Sequence, residues 1–515
     1  MLKRRPPVIL WMLAVVGVFA AISPLAYLII RLGEYGAEKV IGQIFRVRSF
    51  ELLTNSLVLT LMVGATAIIL GSFQAWLATR TRIRGRAVYA LLAALPLAMP
   101  SYITAYAFTA LLPDFKGFWA AWIVLSLGTT PYVYLAVSAA LVRSDSATED
   151  VARSLGLGRL QVFKRVTWPS IRPAAVGGMM LSALYTLSDF GAVSILGFDT
   201  FTRAIYNAYR SSFDRSAAAS LALILVLLTL LLLVIEPILR GPSVPTDSRS
   251  KKTSHVQLGG WSFFAHAAVI GWATLGILIP VVSLIRWNLA GLSSVNFDEV
   301  LRALVNSIGY ALGGGAITAI FGLAISVLAV RHASKLSAVA IRMIWLTHAV
   351  PGIVVALSLV FLSNQLLPSI YQTSLLVLIA YLILFLPNAV VTMQTPIGQA
   401  PKALDEVAAS LGATKTQILR RVVLPIATPG ILAGAALVAL SVLKELPATL
   451  LLRETGVETL ATRLWGQTSV AAFAGAAPYA LLLVVVAGIP AWWLNRQVRA
   501  NINQQINLDE RMERE

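Results

Sequence analysis

Long apolar runs alternate along this chain with short polar segments, and the apolar runs set its class. A helix needs ~20 consecutive apolar residues to cross the hydrocarbon core of a bilayer. Such runs occur near 8–30, 54–79, 87–112, 118–141, 174–198 and 217–239. They recur near 262–286, 304–330, 338–363, 372–394, 430–452 and 476–495. The pattern predicts an all-α polytopic membrane protein with about twelve transmembrane helices. The runs at 174–198 and 430–452 stand apart because each contains acids.

The polar segments carry the orientation. The first apolar run follows Lys3, Arg4 and Arg5, but it is too long for the core of a signal peptide, and it reads as an anchor. With the N-terminus inside, the inner segments hold 28 of the 41 Lys and Arg residues. Lys and Arg concentrate in cytoplasmic loops, so both termini are expected in the cytoplasm. The net charge of +18 is then mostly an orientation signal and not a nucleic-acid footprint. Only 12% of residues are charged, against about 25% in a soluble domain. The absence of cysteine excludes disulfides and thiolate metal sites.

The chain also repeats. At an offset of 256, Glu149 aligns with Asp405, Gly156 with Gly412, Pro169 with Pro425 and Pro173 with Pro429. Ten of the 25 residues from Glu149 to Pro173 are identical in the second copy. Pro131 aligns with Pro387 at that offset, whereas Asn55-Ser56 aligns with Asn306-Ser307, and Pro100 with Pro351, at an offset of 251. Six spans in the same order and orientation make two parallel six-helix repeats, and a pathway between the halves is the expectation. The division is 1–240 for the first repeat, 241–260 for a polar cytoplasmic linker, 261–496 for the second repeat and 497–515 for a cytoplasmic tail.

The best-matched stretch is polar. EDVARSLGLGRLQVFKRVTWP begins at Glu149 and DEVAASLGATKTQILRRVVLP at Asp405. Ser146 and Glu149 fit a capping box, and Pro401 suits the first position of a helix. Acids at the start and Lys164-Arg165 or Arg420-Arg421 at the end complement the helix dipole. Gly156 and Gly412 predict a turn, and Pro169 and Pro425 predict a stop. Two such helix–turn–helix ledges on the cytoplasmic side suit a partner with two-fold symmetry.

This pattern, acid–acid–x–A–x–x–L–G followed by two spaced prolines, resembles the EAA loop of ABC importer permeases. Trp168 departs from it, standing where the family has Leu, as at Leu424. The resemblance implies a type I ABC importer-like fold with both termini cytoplasmic. Glu149, Asp150, Ala152 and Gly156 would form one ATPase-docking site, and Asp405, Glu406, Ala408 and Gly412 the other. It further implies two copies of a cytoplasmic ABC ATPase, a periplasmic or extracytoplasmic substrate-binding protein, and a place in the bacterial cytoplasmic (inner) membrane. No G-x-x-x-x-G-K-[ST] motif occurs. No catalytic residue or bound cofactor is therefore expected, and ATP-Mg is left to the partner subunits.

Polar residues within spans mark candidate pathway positions. Asp189 and Glu445 are repeat-equivalent, Lys444 adjoins the latter, and Gly191 and Pro447 predict broken helices. The alternative role for the two acids is pairing with Arg203, Lys444 or Arg453. SDFG, the run Phe198 to Tyr206, KELPATLLLR and the run Glu458 to Trp465 resemble the fused permeases of ferric-iron importers, with thiamine importers similar in layout. Carboxylates suit a hard cation, though two acids are not a coordination sphere. His255, His266, His332 and His348 lack metal-ligand spacing, so no metal site is expected. Trp492-Trp493 reads as interface belt. A major-facilitator transporter would share the parallel halves, but its second-span loop carries an Asp that TRTRIRGR lacks.

Overall fold

The computed structural model describes residues 7–81, 85–144, 146–210, 215–241, 257–291, 296–347 and 350–488. Lys3 to Arg5, most of the linker, the tail, Trp492, Trp493, His255 and His348 lie outside the described residues. The regular structure of the described residues is helical. Eight of their helices are long and apolar enough to cross a membrane, or ten if each of two bent pairs counts as one span.

Several predicted spans take a different shape. The run 87–112 bends by 91° between Val88–Ala98 and Ser101–Leu111, and 338–363 bends by 105° between Lys335–Thr347 and Gly352–Leu366. Each bend falls just before or at a proline, Pro100 or Pro351, which disfavours helix in the residue before it. The run 174–198 is helical over Trp168–Ser188, breaks, and resumes as the short helix Gly191–Ile195. Its counterpart is helical over Leu424–Leu443 and resumes at Pro447–Leu452. The described part of the last run is helical over Phe473–Gly488.

The chain forms two compact units that cut across the repeat boundary. One comprises Glu34–Ser293 with Thr468–Ala477. Its three central helices, Val47–Arg80, Gly117–Arg143 and Trp168–Ser188, approach closely over glycines. A Cβ on Gly71 would sit 2.8 Å from Val133 Cβ, and one on Gly178 would sit 2.6 Å from Val133 Cα. In lipid, where burial gives little drive for association, such small-residue contacts hold helices together. The span at Gly259–Gly291, the first of the second repeat, packs within this unit. Ser283 Oγ donates to Ala107 O at 2.8 Å, and Trp287 Nε1 to Ala110 O at 3.3 Å.

The other unit comprises Met1–Gly33, Ser294–Gln467 and Pro478–Glu515. The same contacts recur there. A Cβ on Gly322 would meet Ala389 Cβ at 2.6 Å, and one on Gly434 would meet Thr392 Oγ1 at 2.7 Å. The first span of the chain packs in this unit. The Tyr27 and Phe361 rings are 5.0 Å apart, and the Arg31 guanidinium lies 4.4 Å from the Phe361 centroid.

The repeated Asn-Ser pairs clamp the start of a helix in each unit. Asn55 Nδ2 donates to Asp199 O at 3.1 Å, and Ser56 Oγ accepts from Phe201 N at 3.3 Å. Asn306 Nδ2 donates to Glu458 O at 2.9 Å, and Ser307 Oγ accepts from Leu460 N at 2.8 Å. The serine bonds satisfy orphan amides at the N-termini of Phe201–Arg210 and Leu460–Ser469, and the asparagines hold the carbonyls just before them.

Candidate docking hairpins and span breaks

Each hairpin begins with a short helix, Ser146–Ser154 or Lys402–Ser410. Pro401 is the cap residue of the second and not its first helical residue. Both helices end in a Schellman turn. In the first, Gly156 N donates to Arg153 O at 2.9 Å and Leu157 N to Ala152 O at 3.2 Å. In the second, Gly412 N donates to Ala409 O at 3.1 Å and Ala413 N to Ala408 O at 3.0 Å. Gly156 and Gly412 have φ of 83° and 85°, the left-handed region that only Gly enters without strain. The next short helix starts on a glutamine cap in both copies. Gln161 Oε1 accepts from Gly158 N at 3.2 Å, and Gln417 Oε1 accepts from Thr414 N at 2.8 Å.

Pro169 and Pro425 do not stop the helix. Wider π turns at Phe163–Thr167 and Leu419–Val423 lead directly into Trp168–Ser188 and Leu424–Leu443. A proline inside an α-helix clashes with the carbonyl four residues back and removes that bond. The π turn spreads the backbone where the clash would fall, so the chain runs unbroken from hairpin into span.

The predicted docking acids sit in different networks. Glu149 Oε1 accepts from Thr167 Oγ1 at 3.0 Å, which turns its carboxylate toward the π turn. Ser146, its proposed capping partner, has no described side chain. Asp150 is exposed, with Arg153 Nη1 at 3.4 Å. Asp405 Oδ2 accepts from Arg331 Nη1 at 3.0 Å, and Glu406 is exposed. Ala152 is buried and Ala408 half-buried, each supplying the carbonyl that closes its turn.

Sequence reasoning passed over two further sets of residues. The first is a buried arginine at the end of each long helix. Arg331 also donates to Ile397 O at 2.9 Å and Ala400 O at 2.6 Å, and its side chain is 7% exposed. Arg80, 251 positions earlier, donates to Ser144 O at 3.1 Å and Ser144 Oγ at 2.6 Å. The two latches are chemically compensated. The first copy has hydroxyls at Ser144 and Thr167, while the second has Ala400 and Val423 and relies on the Arg331–Asp405 pair. The second set is an exposed apolar pair on each hairpin, one helical turn apart. Val151 and Leu155 are 57% and 77% exposed, and Val407 and Leu411 are 55% and 82% exposed. Their signal was the shared V-A-x-S-L-G, identical in both copies.

At the span breaks, both acids are helix caps. Asp189 Oδ1 accepts from Ala192 N at 3.0 Å and Val193 N at 3.2 Å, and Oδ2 accepts from Ser101 Oγ. Glu445 accepts from Ala448 N at 2.8 Å and Thr449 N at 2.9 Å. Carboxylates at these positions satisfy helix-start amides of the buried residues Ala192, Val193, Ala448 and Thr449. Arg203 pairs with Asp199, and Arg453 with Glu458, so these arginines are committed elsewhere. Lys444 closes the helix before the break.

The break in the fifth span of each half touches the bend of the third. Ser101 and Gly352 are repeat-equivalent. Ser101 hydrogen-bonds the shorter acid, whereas Gly352 has no side chain, and a Cβ there would lie 3.1 Å from Glu445 Oε1. The extra methylene of Glu occupies the room that Ser takes in the other copy. Among the described residues, no three His, Asp or Glu side chains gather closely enough to hold a metal ion.

Two stretches, residues 67–240 and 319–500, match the family described as "Binding-protein-dependent transport system inner membrane component". The chain is 36% identical over 96% of its length to the "Fe(3+)-transport system permease protein FbpB 2" of Haemophilus influenzae, covering 99% of that protein. It is 24% identical to the "Ferric transport system permease protein FbpB" of Actinobacillus pleuropneumoniae, over 77% of this chain and 63% of the other. A chain of the MetNI methionine ABC transporter, solved in inward-facing conformations, aligns with 37% of this chain and 96% of its own, at 17% identity and a TM-score of 0.31. The duplicated family match, together with near-full-length identity to a permease, places this chain in the binding-protein-dependent transport system inner membrane component family.

Proposed function

We propose that this chain is the membrane permease of a bacterial ferric-iron ABC importer in the cytoplasmic membrane. It crosses the bilayer twelve times with both termini in the cytoplasm. Two copies of a cytoplasmic ATPase dock on Glu149, Asp150, Ala152 and Gly156 and on Asp405, Glu406, Ala408 and Gly412. A separate extracytoplasmic binding protein delivers the substrate, and ATP-Mg is consumed by the partners. The observation that carries the docking reading is the hairpin pair, each closed by a left-handed glycine and each showing an exposed Val–Leu pair beside acids. Exposed apolar side chains at matched positions mark an interaction surface. The continuous π-to-α run from each hairpin gives a rigid link by which ATPase motion reaches a span, driving alternating access. The ferric assignment draws on the two ferric permease relatives.

Leu155→Glu combined with Leu411→Glu tests the docking. Both side chains are exposed, so the chain folds, but a buried charge at the interface should remove most of the ATPase that co-purifies with it. Unchanged ATPase recovery would overturn the docking surface.

Asp189, Lys444 and Glu445 line the translocation pathway in this proposal, the two acids also serving as caps. Asp189→Asn with Glu445→Gln separates the two roles. Asn keeps the one oxygen on which Asp189 accepts both amides, and Gln keeps one of the two amide bonds that Glu445 accepts on separate oxygens, so this pair retains much of the capping while removing both charges. Iron uptake with the cognate binding protein should fall severalfold in a chain that still assembles. Full uptake would remove the two acids from the pathway.

A further inference from the structure

The helix Val47–Arg80, the end of Gly117–Arg143 and the π turn of the first hairpin surround a groove of about 580 Å³, within the usual range for small-molecule sites. Its walls include Ile69, Phe73, Trp76, Phe163 and Trp168, and Lys164 is its cationic member. Ile69, Phe73 and Phe163 are each more than 40% exposed, so the groove opens outward from its unit. Ile69 precedes Arg80 by three turns of helix, or about 17 Å at 1.5 Å per residue. One leaflet of hydrocarbon is about 15 Å deep. The groove therefore runs from the hairpin level to the middle of the bilayer, with its two tryptophans near the depth where such rings concentrate.

Lys164 is exposed, and no carboxylate pairs with it among the described residues. The second repeat lacks this lining. Phe73, Trp76, Phe163 and Trp168 correspond to Ala324, Val327, Leu419 and Leu424. The groove also abuts the docking hairpin, because Thr167 both lines it and holds Glu149.

We infer that this groove seats one anionic phospholipid, its acyl chain along Ile69, Phe73 and Trp76 and its phosphate on Lys164. The choice of occupant follows from charge complementarity. Basic pockets between spans on the cytoplasmic side hold anionic headgroups. The assignment to the cytoplasmic leaflet rests on the orientation proposed above. Through Thr167 and Glu149, the bound lipid braces the first hairpin and not the second.

The intact transporter, reconstituted in nanodiscs of mixed phosphatidylglycerol and phosphatidylcholine, tests this by native mass spectrometry of the lipid it retains. The wild type should keep one phosphatidylglycerol per chain. Lys164→Glu should cut that retention about fivefold or more. Phe163→Leu with Trp168→Leu, which installs the residues of the second repeat, should also lose it, while Arg420→Glu should not. Equal retention in wild type, Lys164→Glu and the double variant overturns the site, as does retention of phosphatidylcholine as strong as that of phosphatidylglycerol. The readout does not depend on ATPase docking, so failure of the docking proposal remains distinguishable.

Discussion

Replacing Arg331 with Leu should cost about 3 kcal/mol of stability, the lower end of the range for breaking a buried pair, because Asp405 remains partly exposed. The guanidinium ties three points at the base of the second hairpin: Ile397 O, Ala400 O and the Asp405 carboxylate. Leu leaves all three without that donor. The hairpin then loses its fixed attachment to the helix Phe297–Arg331. Thermal unfolding of the purified chain should shift down, and ATPase recovery should fall with it. Arg331→Lys should be intermediate, since one ammonium cannot span carbonyls and carboxylate as a planar fork does. Arg80→Leu should cost less, because Arg80 holds a carbonyl and a hydroxyl with no carboxylate. An Arg331→Leu chain that melts like wild type and keeps its ATPase would show that the latch is decorative.

Gly412→Val, alone and with Gly156→Val, should give the second large effect. The left-handed conformation costs an L-residue about 1–2 kcal/mol, and a β-branched side chain is among the worst placed to adopt it. Space is not the obstacle, because a Cβ at either glycine meets nothing within 4 Å. The consequence is a rank order. Gly412→Asn should be mild, because Asn tolerates this region, whereas Gly412→Val should unwind the turn. ATPase recovery should fall from Gly to Asn to Val, and the double Val variant should lose most of it. Equal loss for Asn and Val would make the cause steric at the interface and not conformational.

Much of the hairpin was legible because its signals are local. A Gly and two prolines at a repeated offset mark a turn wherever the chain goes, and both glycines do adopt positive φ. The stop assigned to Pro169 and Pro425 failed because a π turn, invisible in composition, relieves the proline clash. The breaks at Gly191 and Pro447 were anticipated, but their use was not. Asp189 and Glu445 bond to amides three and four residues onward, and the hydroxyl from Ser101 arrives from a distant span. The arginine latches escaped notice because Arg80 and Arg331 look like ordinary inside-loop charges until their carbonyl partners, 64 to 69 residues away, are seen.

By itself, the sequence determined the helical class, the apolar runs, the duplication and the positions and glycine turns of the two hairpins. All of these follow from periodicity, side-chain chemistry and residue spacing along one dimension. The tertiary structure alone decided which helices pack together. The first span of the chain packs with helices of the second half, and the span Gly259–Gly291 packs with helices of the first. Every span offers a similar apolar face, so hydropathy cannot choose its neighbour. For these two spans the choice is made by close fit at Gly17, where a Cβ would lie 3.2 Å from Phe321, and at Gly276, where one would lie 3.1 Å from Pro96, and by the bonds from Ser283 and Trp287.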